Sequence, residues 1–208
     1  LFGRYILLMK VVFTKPDKKQ IFWRQFIIDV EKLVLESIPI VAVISMFIGA
    51  VIVLQTAYNL ESPFIPKMYV GYMARESLVL EFCSTMIALI LAGKVGSNIS
   101  SEIGSMRITE QIDAMEMMGI NSANFLILPK IAAATVFNPL LMLLSFILGL
   151  LGGAIIIMMT GVINISQFVD GIQFSFKQYY VFYSMIKMAA FSFVITSVAS
   201  FYGYYASG

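Results

Sequence analysis

The residues able to do chemistry in this chain collect in one polar stretch, Glu102-Ile103-Gly104-Ser105-Met106-Arg107-Ile108-Thr109-Glu110-Gln111-Ile112-Asp113-Ala114-Met115-Glu116-Met117-Met118-Gly119. Its charges alternate with isoleucine and methionine, and long apolar runs flank it. That mixture suits recognition rather than bond-making. Methionine is flexible and polarizable, so it makes adaptable contact surfaces, and an amphipathic helix laid in a partner's groove is a recurrent recognition mode. Two further ionisable residues, Glu81 and Lys187, stand inside apolar runs. A charge at bilayer depth is costly unless it is paired or faces water; the plain alternative is snorkelling to the interface. Catalytic parts are missing. Histidine is absent and Cys83 is alone, which removes the commonest general base and metal ligand and any thiolate cluster. There is no G-x-x-x-x-G-K-[ST] loop to cradle nucleotide phosphates, and no serine has a histidine base. Acid pairs at helical spacing within the apolar runs are also absent. Any energy input must come from a partner ATPase, an ion gradient, or not at all.

The elements that position these residues are membrane helices. The chain is 60% hydrophobic and 12% charged, with a mean hydropathy of +0.89, outside the range of soluble domains. The class is therefore an all-α integral membrane protein. No basic run is long enough to suggest a nucleic-acid partner, and no cleavable leader is expected. Four runs can enter a bilayer, where a span needs roughly 20 residues: 38–58, 78–93, 125–160 and 179–206. The second is short and extends back through Tyr69–Ser77 as a tilted or partly re-entrant helix. The third is too long for one straight span; it is expected to begin on the surface and enter near Pro129, since proline suits a first helical turn. Asn138-Pro139 within it marks a hinge or a tolerated bend. Gly149, Gly152, Gly153 and Ala154 make a small-residue face for close helix packing.

Residues 1–37 differ. Phe22, Phe26, Val30 and Leu33 recur at helical spacing with Arg24, Glu31, Lys32 and Glu36 elsewhere, the pattern of a helix lying in the interface. Lys15-Pro16-Asp17-Lys18-Lys19 reads as a charged turn before it. Ten of the fourteen Lys and Arg residues lie in residues 1–37 and in the connection around the polar stretch, which makes the N-terminus and that stretch cytoplasmic. Within the stretch, residues 102–118, Gly104 marks a break before the helix and Gly119 a cap after it. Ile108, Ile112 and Met115 form one stripe. Arg107, Glu110, Asp113 and Glu116 face elsewhere, and Met106, Met117 and Met118 fall outside it. On the pattern alone, a docking helix and an ordinary cytoplasmic loop helix both remain open.

A resemblance separates them. Leu91-Ala92-Gly93-Lys94-Val95-Gly96-Ser97 followed by Glu102–Met115 resembles the signature of the MlaE/YrbE family of ABC-transporter permeases, which move lipids together with MCE-domain proteins. Phe47-Ile48-Gly49, Leu54-Gln55, Met117-Met118-Gly119-Ile120-Asn121, Leu128-Pro129-Lys130, Gly152-Gly153 and Tyr202-Gly203-Tyr204 recur in the family's order. The resemblance implies that 102–118 is a coupling helix, with Glu102, Met106, Arg107, Glu110, Asp113 and Met117 contacting a cytoplasmic ATPase that itself binds ATP and magnesium. It implies a lipid site involving Ile52, Leu60, Glu81 and Lys187. It implies phospholipid as substrate, a second copy of the chain and a periplasmic MCE-domain protein as partners, and the bacterial inner membrane as location, with no cofactor in this chain. Two departures stand out. Leu80-Glu81-Phe82-Cys83-Ser84 keeps the glutamate of the family's Arg-Glu-Leu-Gly-Pro-like sequence and loses the rest. The family pattern also continues past Gly208 with a second polar segment and a fifth spanning helix. A secondary transporter, channel or non-transporting scaffold is the rival reading; the first two require ionisable groups along a midplane path, for which only Glu81 and Lys187 are candidates.

Overall fold

A computed structural model describes residues 2–14, 19–60, 64 and 66–206, and among these there is no strand. The elements are α1 (Phe2–Val12), α2 (Lys19–Leu33), a 3-10 turn (Leu35–Ser37), α3 (Ile38–Asn59), α4 (Met68–Ser77), a π-helical turn (Leu78–Phe82), α5 (Cys83–Ile108), α6 (Gln111–Met117), α7 (Ser122–Thr160), α8 (Ile165–Gln173) and α9 (Gln178–Tyr204). Four helical stretches are long and apolar enough to cross a membrane: Gln20–Asn59, Met68–Ile108, Ser122–Thr160 and Gln178–Tyr204. Hydrocarbon supplies no partner for backbone N–H and C=O groups, so a spanning segment must satisfy them along its own helix. The expected charged turn at Lys15–Lys18 lies outside the described residues.

Several expected boundaries shift. The second segment reaches back through Tyr69–Ser77 as expected, starting at Met68, but it runs past 93 to Ile108 and widens to a π-turn at Leu78–Phe82. Gly104 does not break it. It lies buried in mid-helix, and no proline or left-handed residue interrupts the backbone there. The third segment has no helix start at Pro129. It is one helix of 39 residues from Ser122, so Pro129 lies well inside it and the helix continues through Asn138-Pro139. Helix α8 is short, amphipathic and too brief to register as a span; Phe168 and Gly171 form its buried side.

The chain divides into two compact units. One holds Ile38–Ile87 and Pro139–Met188. Here α3 and α7 cross at the small-residue face. A Cβ placed on Gly49 would lie 1.9 Å from the Gly149 carbonyl oxygen, and one on Gly152 would lie 2.1 Å from that of Met46. The Ser45 and Ser145 hydroxyls meet at 2.6 Å beside this crossing. Helices α4 and α8 repeat the device, since a Cβ on Gly171 would lie 2.1 Å from the Met68 carbonyl oxygen. Arg75 is 1% exposed. It donates to the Ile172 and Phe174 carbonyls at the end of α8 at 2.6 and 2.9 Å, and to Glu76 at 2.5 Å. Its guanidinium also lies over the Tyr72 and Phe176 rings.

The other unit holds Leu1–Ser37, Ala88–Asn138 and Ala189–Gly208. Its polar centre is Lys130, 1% exposed. The ammonium donates to Asp29 Oδ1 at 2.9 Å and Glu102 Oε2 at 3.0 Å, joining α2, α5 and α7. Lys94 Nζ donates to the Glu36 carbonyl, and Ser100 Oγ to that of Ala199 at 2.8 Å. Asn138 Nδ2 donates to Ser192 Oγ at 3.0 Å. The Asn124 amide donates to the Val12 and Thr14 carbonyls, both at 2.7 Å, which fastens the end of α1.

Two outcomes are expected for stability in detergent. Gly152→Ala pushes a methyl group into the Met46 backbone and is expected to cost more than the ~1–3 kcal/mol of ordinary overpacking, whereas Gly93→Ala, with open space around it, leaves the melting temperature unchanged or raised. Lys130→Met strands two carboxylates around an apolar side chain and is expected to cost about 3–5 kcal/mol, part of which Asp29→Asn in the same chain recovers. Equal melting of Lys130→Met and wild type would show that the ion cluster does not stabilise this unit.

Candidate functional site

Helix α5 ends where the backbone turns left-handed. Glu110 has φ of 58°, a conformation that non-glycine residues adopt only under local constraint. The constraint is visible on both sides. Thr109 Oγ1 donates to the Ser105 carbonyl at 2.7 Å, and the Ala114 N–H donates to the Glu110 carbonyl at 3.0 Å to begin α6. Arg107 Nη1 then donates to Asp113 Oδ1 at 2.6 Å, bracing the end of α5 against α6. The break therefore comes at Thr109-Glu110 rather than at Gly104.

Helix α6 is anchored by Ile112, which is fully buried, while Ile108 is 60% exposed. The expected Ile108–Ile112–Met115 stripe is thus split: the left-handed turn at Glu110 rotates Ile108 off the face that Ile112 occupies. The cap at Gly119 is as expected. Its φ is 76°, its N–H donates to the Glu116 carbonyl, and the Ile120 N–H donates to that of Met115, the paired bonds of a Schellman motif. Two residues on, the Asn121 side chain accepts the Asn124 N–H at 3.1 Å and caps α7.

Glu116 ties this segment to the rest of its unit. Its Oε1 accepts from Ser122 Oγ at 2.7 Å and from the Tyr204 hydroxyl at 2.9 Å, and those two hydroxyls are 2.8 Å apart. The Ser122 and Tyr204 hydrogen bonds hold the Glu116 carboxyl below the ordinary carboxylate range, with partial burial opposing and the Arg107 charge adding. A short rod is fixed at both ends while its outer side stays open. Met117 is 84% and Met118 69% exposed, and Glu110 and Asp113 are exposed beside them; Arg107 and Met106 are half-buried. Glu102 is placed differently, turned inward onto Lys130.

The proposed lipid residues lie in the other unit. Glu81 is in the π-turn, and Lys187 Nζ lies 3.5 Å from its Oε2 and 3.1 Å from the Leu80 carbonyl oxygen. Ile52 is buried and Leu60 half-buried at the exit of α3. The chain's sequence signals Asp29, which falls on the apolar stripe of Phe22, Phe26 and Leu33, as a carboxylate in need of a partner. Arg75 and Tyr204 carry no such local signal, because the carbonyls Arg75 meets are 97 and 99 residues away and the carboxylate Tyr204 meets is 88 residues away.

The family profile described as Permease MlaE matches residues 26–208. A probable ABC transporter permease protein of Rickettsia bellii is 32% identical over 169 residues, covering 81% of this chain and 65% of the relative. A probable ABC transporter permease protein of Synechocystis is 30% identical over 176 residues, 83% of this chain and 65% of the relative. The intermembrane phospholipid transport system permease protein MlaE of Haemophilus influenzae is 30% identical over 170 residues, 81% of this chain and 65% of the relative. The chain spans about two thirds of the length of these curated relatives, 65% in each case. With the profile reaching from within α2 to the last residue, this chain belongs to the MlaE permease family.

Proposed function

We propose that the chain is the membrane-spanning subunit of an ABC transporter for phospholipid, and that it does no catalysis of its own. A separate cytoplasmic ATPase binds ATP and magnesium and docks on the open side of α6. The chain works as a symmetric pair in the bacterial inner membrane, with its N-terminus and α6 on the cytoplasmic side, and passes lipid to or from a periplasmic MCE-domain partner. The name of the Haemophilus relative supports phospholipid as substrate. The distribution of charge supports the orientation: ten Lys and Arg residues fall within Leu1–Ser37, Ala88–Asn138 and Ala189–Gly208 and four within the remainder.

The observation that carries the reading is the construction of α6. A loop helix without a partner gains nothing from a strained residue at one end, a glycine cap at the other and a carboxylate bound by two hydroxyls. Those devices make a seven-residue rod stiff. They also hold two large apolar side chains, Met117 and Met118, away from its own unit. A stiff rod transmits displacement, and adaptable thioethers fit a groove. Residues Arg107 and Asp113 bridge α5 to α6, so a push on the rod is delivered to α5.

Met117→Asp tests docking without touching an internal contact. In the assembled complex it is expected to lower ATPase co-purification and lipid-stimulated ATP hydrolysis roughly tenfold or more, the scale at which truncating a buried anchor costs an interface, while the melting temperature of the isolated chain stays at the wild-type value. Full ATPase stimulation in Met117→Asp would show that α6 is not the docking element.

A further inference from the structure

A cavity of about 370 Å³ opens where α1, the joint between α6 and α7, and the end of α9 come together. Leu7, Leu8 and Val11 of α1 make one wall apolar, and Glu116, Ser122 and Tyr204 give the other its polar groups. Tyrosines gather at both ends of α9, Tyr179, Tyr180 and Tyr183 at one and Tyr202, Tyr204 and Tyr205 at the other. Tyrosine, apolar in the ring and polar at the tip, is enriched at the level of the lipid headgroups. The cavity therefore sits at headgroup level in the leaflet nearer α6. Leu7 and Val11 are exposed, so the apolar wall continues outward along α1 and offers acyl chains a surface beside the cavity.

The polar wall has a surplus of lone pairs. Glu116 Oε1, Ser122 Oγ and the Tyr204 hydroxyl oxygen form a triangle with sides of 2.7, 2.8 and 2.9 Å. Each hydroxyl brings one proton, so two protons serve three contacts and neither is left to donate outward. The same hydroxyls hold Glu116 as a carboxylate, and its Oε2 accepts no hydrogen bond among the described residues. The first turn of α7 favours an anion beside it, and Glu116 already fills that place. What this wall lacks is a donor with positive charge. A primary ammonium is such a group; a phosphate alone would meet the carboxylate as a like charge.

Arg4 supplies the opposite sign. It precedes Leu7, Leu8 and Val11 by three, four and seven residues, which puts it on the same face of α1. It is exposed and forms no ion pair among the described residues. We propose that this cavity binds the headgroup of a zwitterionic aminophospholipid from the leaflet nearer α6, with the primary ammonium on Glu116 Oε2, the phosphate toward Arg4 and the acyl chains along Leu7 and Val11. The site stands on the geometry of its own unit and does not require that the chain transport lipid.

The test uses the full-length protein assembled with its ATPase, in bilayers carrying a phosphatidylethanolamine with a photoreactive acyl chain, or its choline or glycerol counterpart at the same fraction. Labelled peptides are identified by mass spectrometry. The ethanolamine probe is expected to label α1 and the start of α7 about threefold more than the choline probe, the scale of an exposed ion pair, and the glycerol probe to label them least. Glu116→Gln keeps an oxygen for both hydroxyls and replaces only the free one with an amide; it is expected to bring ethanolamine labelling down to the choline level. Arg4→Gln is expected to lower labelling by both zwitterionic probes. Val11→Trp, which fills the cavity from its apolar wall, is expected to abolish labelling there and leave that of α3 unchanged. Equal labelling by the ethanolamine and choline probes in wild type, or a preference that survives Glu116→Gln, overturns the ammonium assignment. Labelling indifferent to Arg4→Gln overturns the placement of the phosphate. Labelling of this region that appears only when the ATPase is left out gives the cavity to the protein partner and overturns the lipid site. None of these readouts depends on ATP hydrolysis or lipid movement, so they hold or fail separately from the proposed function.

Discussion

An ammonium or guanidinium withdrawn from water among apolar helices must be met by fixed acceptors, because desolvating an unpaired charge costs several kcal/mol even after relaxation. Three cations in this chain meet that demand in three ways. Lys130 is shared by two carboxylates, Asp29 and Glu102. Arg75 takes backbone carbonyls left open at the end of α8, with Tyr72 and Phe176 against its faces. Lys187 takes a carbonyl of a widened helical turn. In each case the cation joins elements remote in sequence. These contacts specify which helices lie together in a chain whose spanning helices are mostly apolar and so a weak guide to register.

The glycine crossings act at the same level by a different route. In lipid, helix association gains little from the hydrophobic effect and depends on close van der Waals contact. Gly49 against Gly149, and Gly152 against the Met46 backbone, allow an approach that a single methyl group would forbid. The serine pair Ser45–Ser145 satisfies both hydroxyls at that approach. Shape fixes how closely α3 and α7 pack, while the buried charges elsewhere fix which neighbours meet.

Much of this was legible in the residues. The four spanning segments follow from length and hydropathy, the small-residue face from Gly149, Gly152 and Gly153, and the Gly119 cap from its position before Ile120. The break before α6 was not legible, because glycine suggests an interruption at Gly104 while the turn is made by Glu110 in a conformation glycine would normally supply. Propensity lost there to tertiary constraint: Gly104 and Ile103 are buried against the end of α9, where closeness of packing favours a small residue in an intact helix. The extent of α7 was obscured similarly. Pro129 reads as a helix start, yet Asn121 supplies the cap and the intervening turns are held by Ser122 and Asn124. Hydrogen bonds such as Tyr204 to Glu116, 88 residues apart, leave no local trace.

The break at Glu110 has a mechanical consequence that a break at Gly104 would not have. With α5 continuous from Cys83 to Ile108, one unbroken helix leads from the π-turn to the start of α6. A joint at Gly104 would separate the Lys130–Glu102 contact from α6. Placed at Glu110, the joint lies beyond that contact, and it is itself clamped by Arg107–Asp113 across it. Strain in the left-handed residue, of order 1–3 kcal/mol, then falls in the turn between α5 and α6 rather than within α5 itself. The chain thus keeps its long helices continuous, with the π-turn that carries Glu81 inside the second and the left-handed Glu110 beyond the end of α5, beside the exposed methionines.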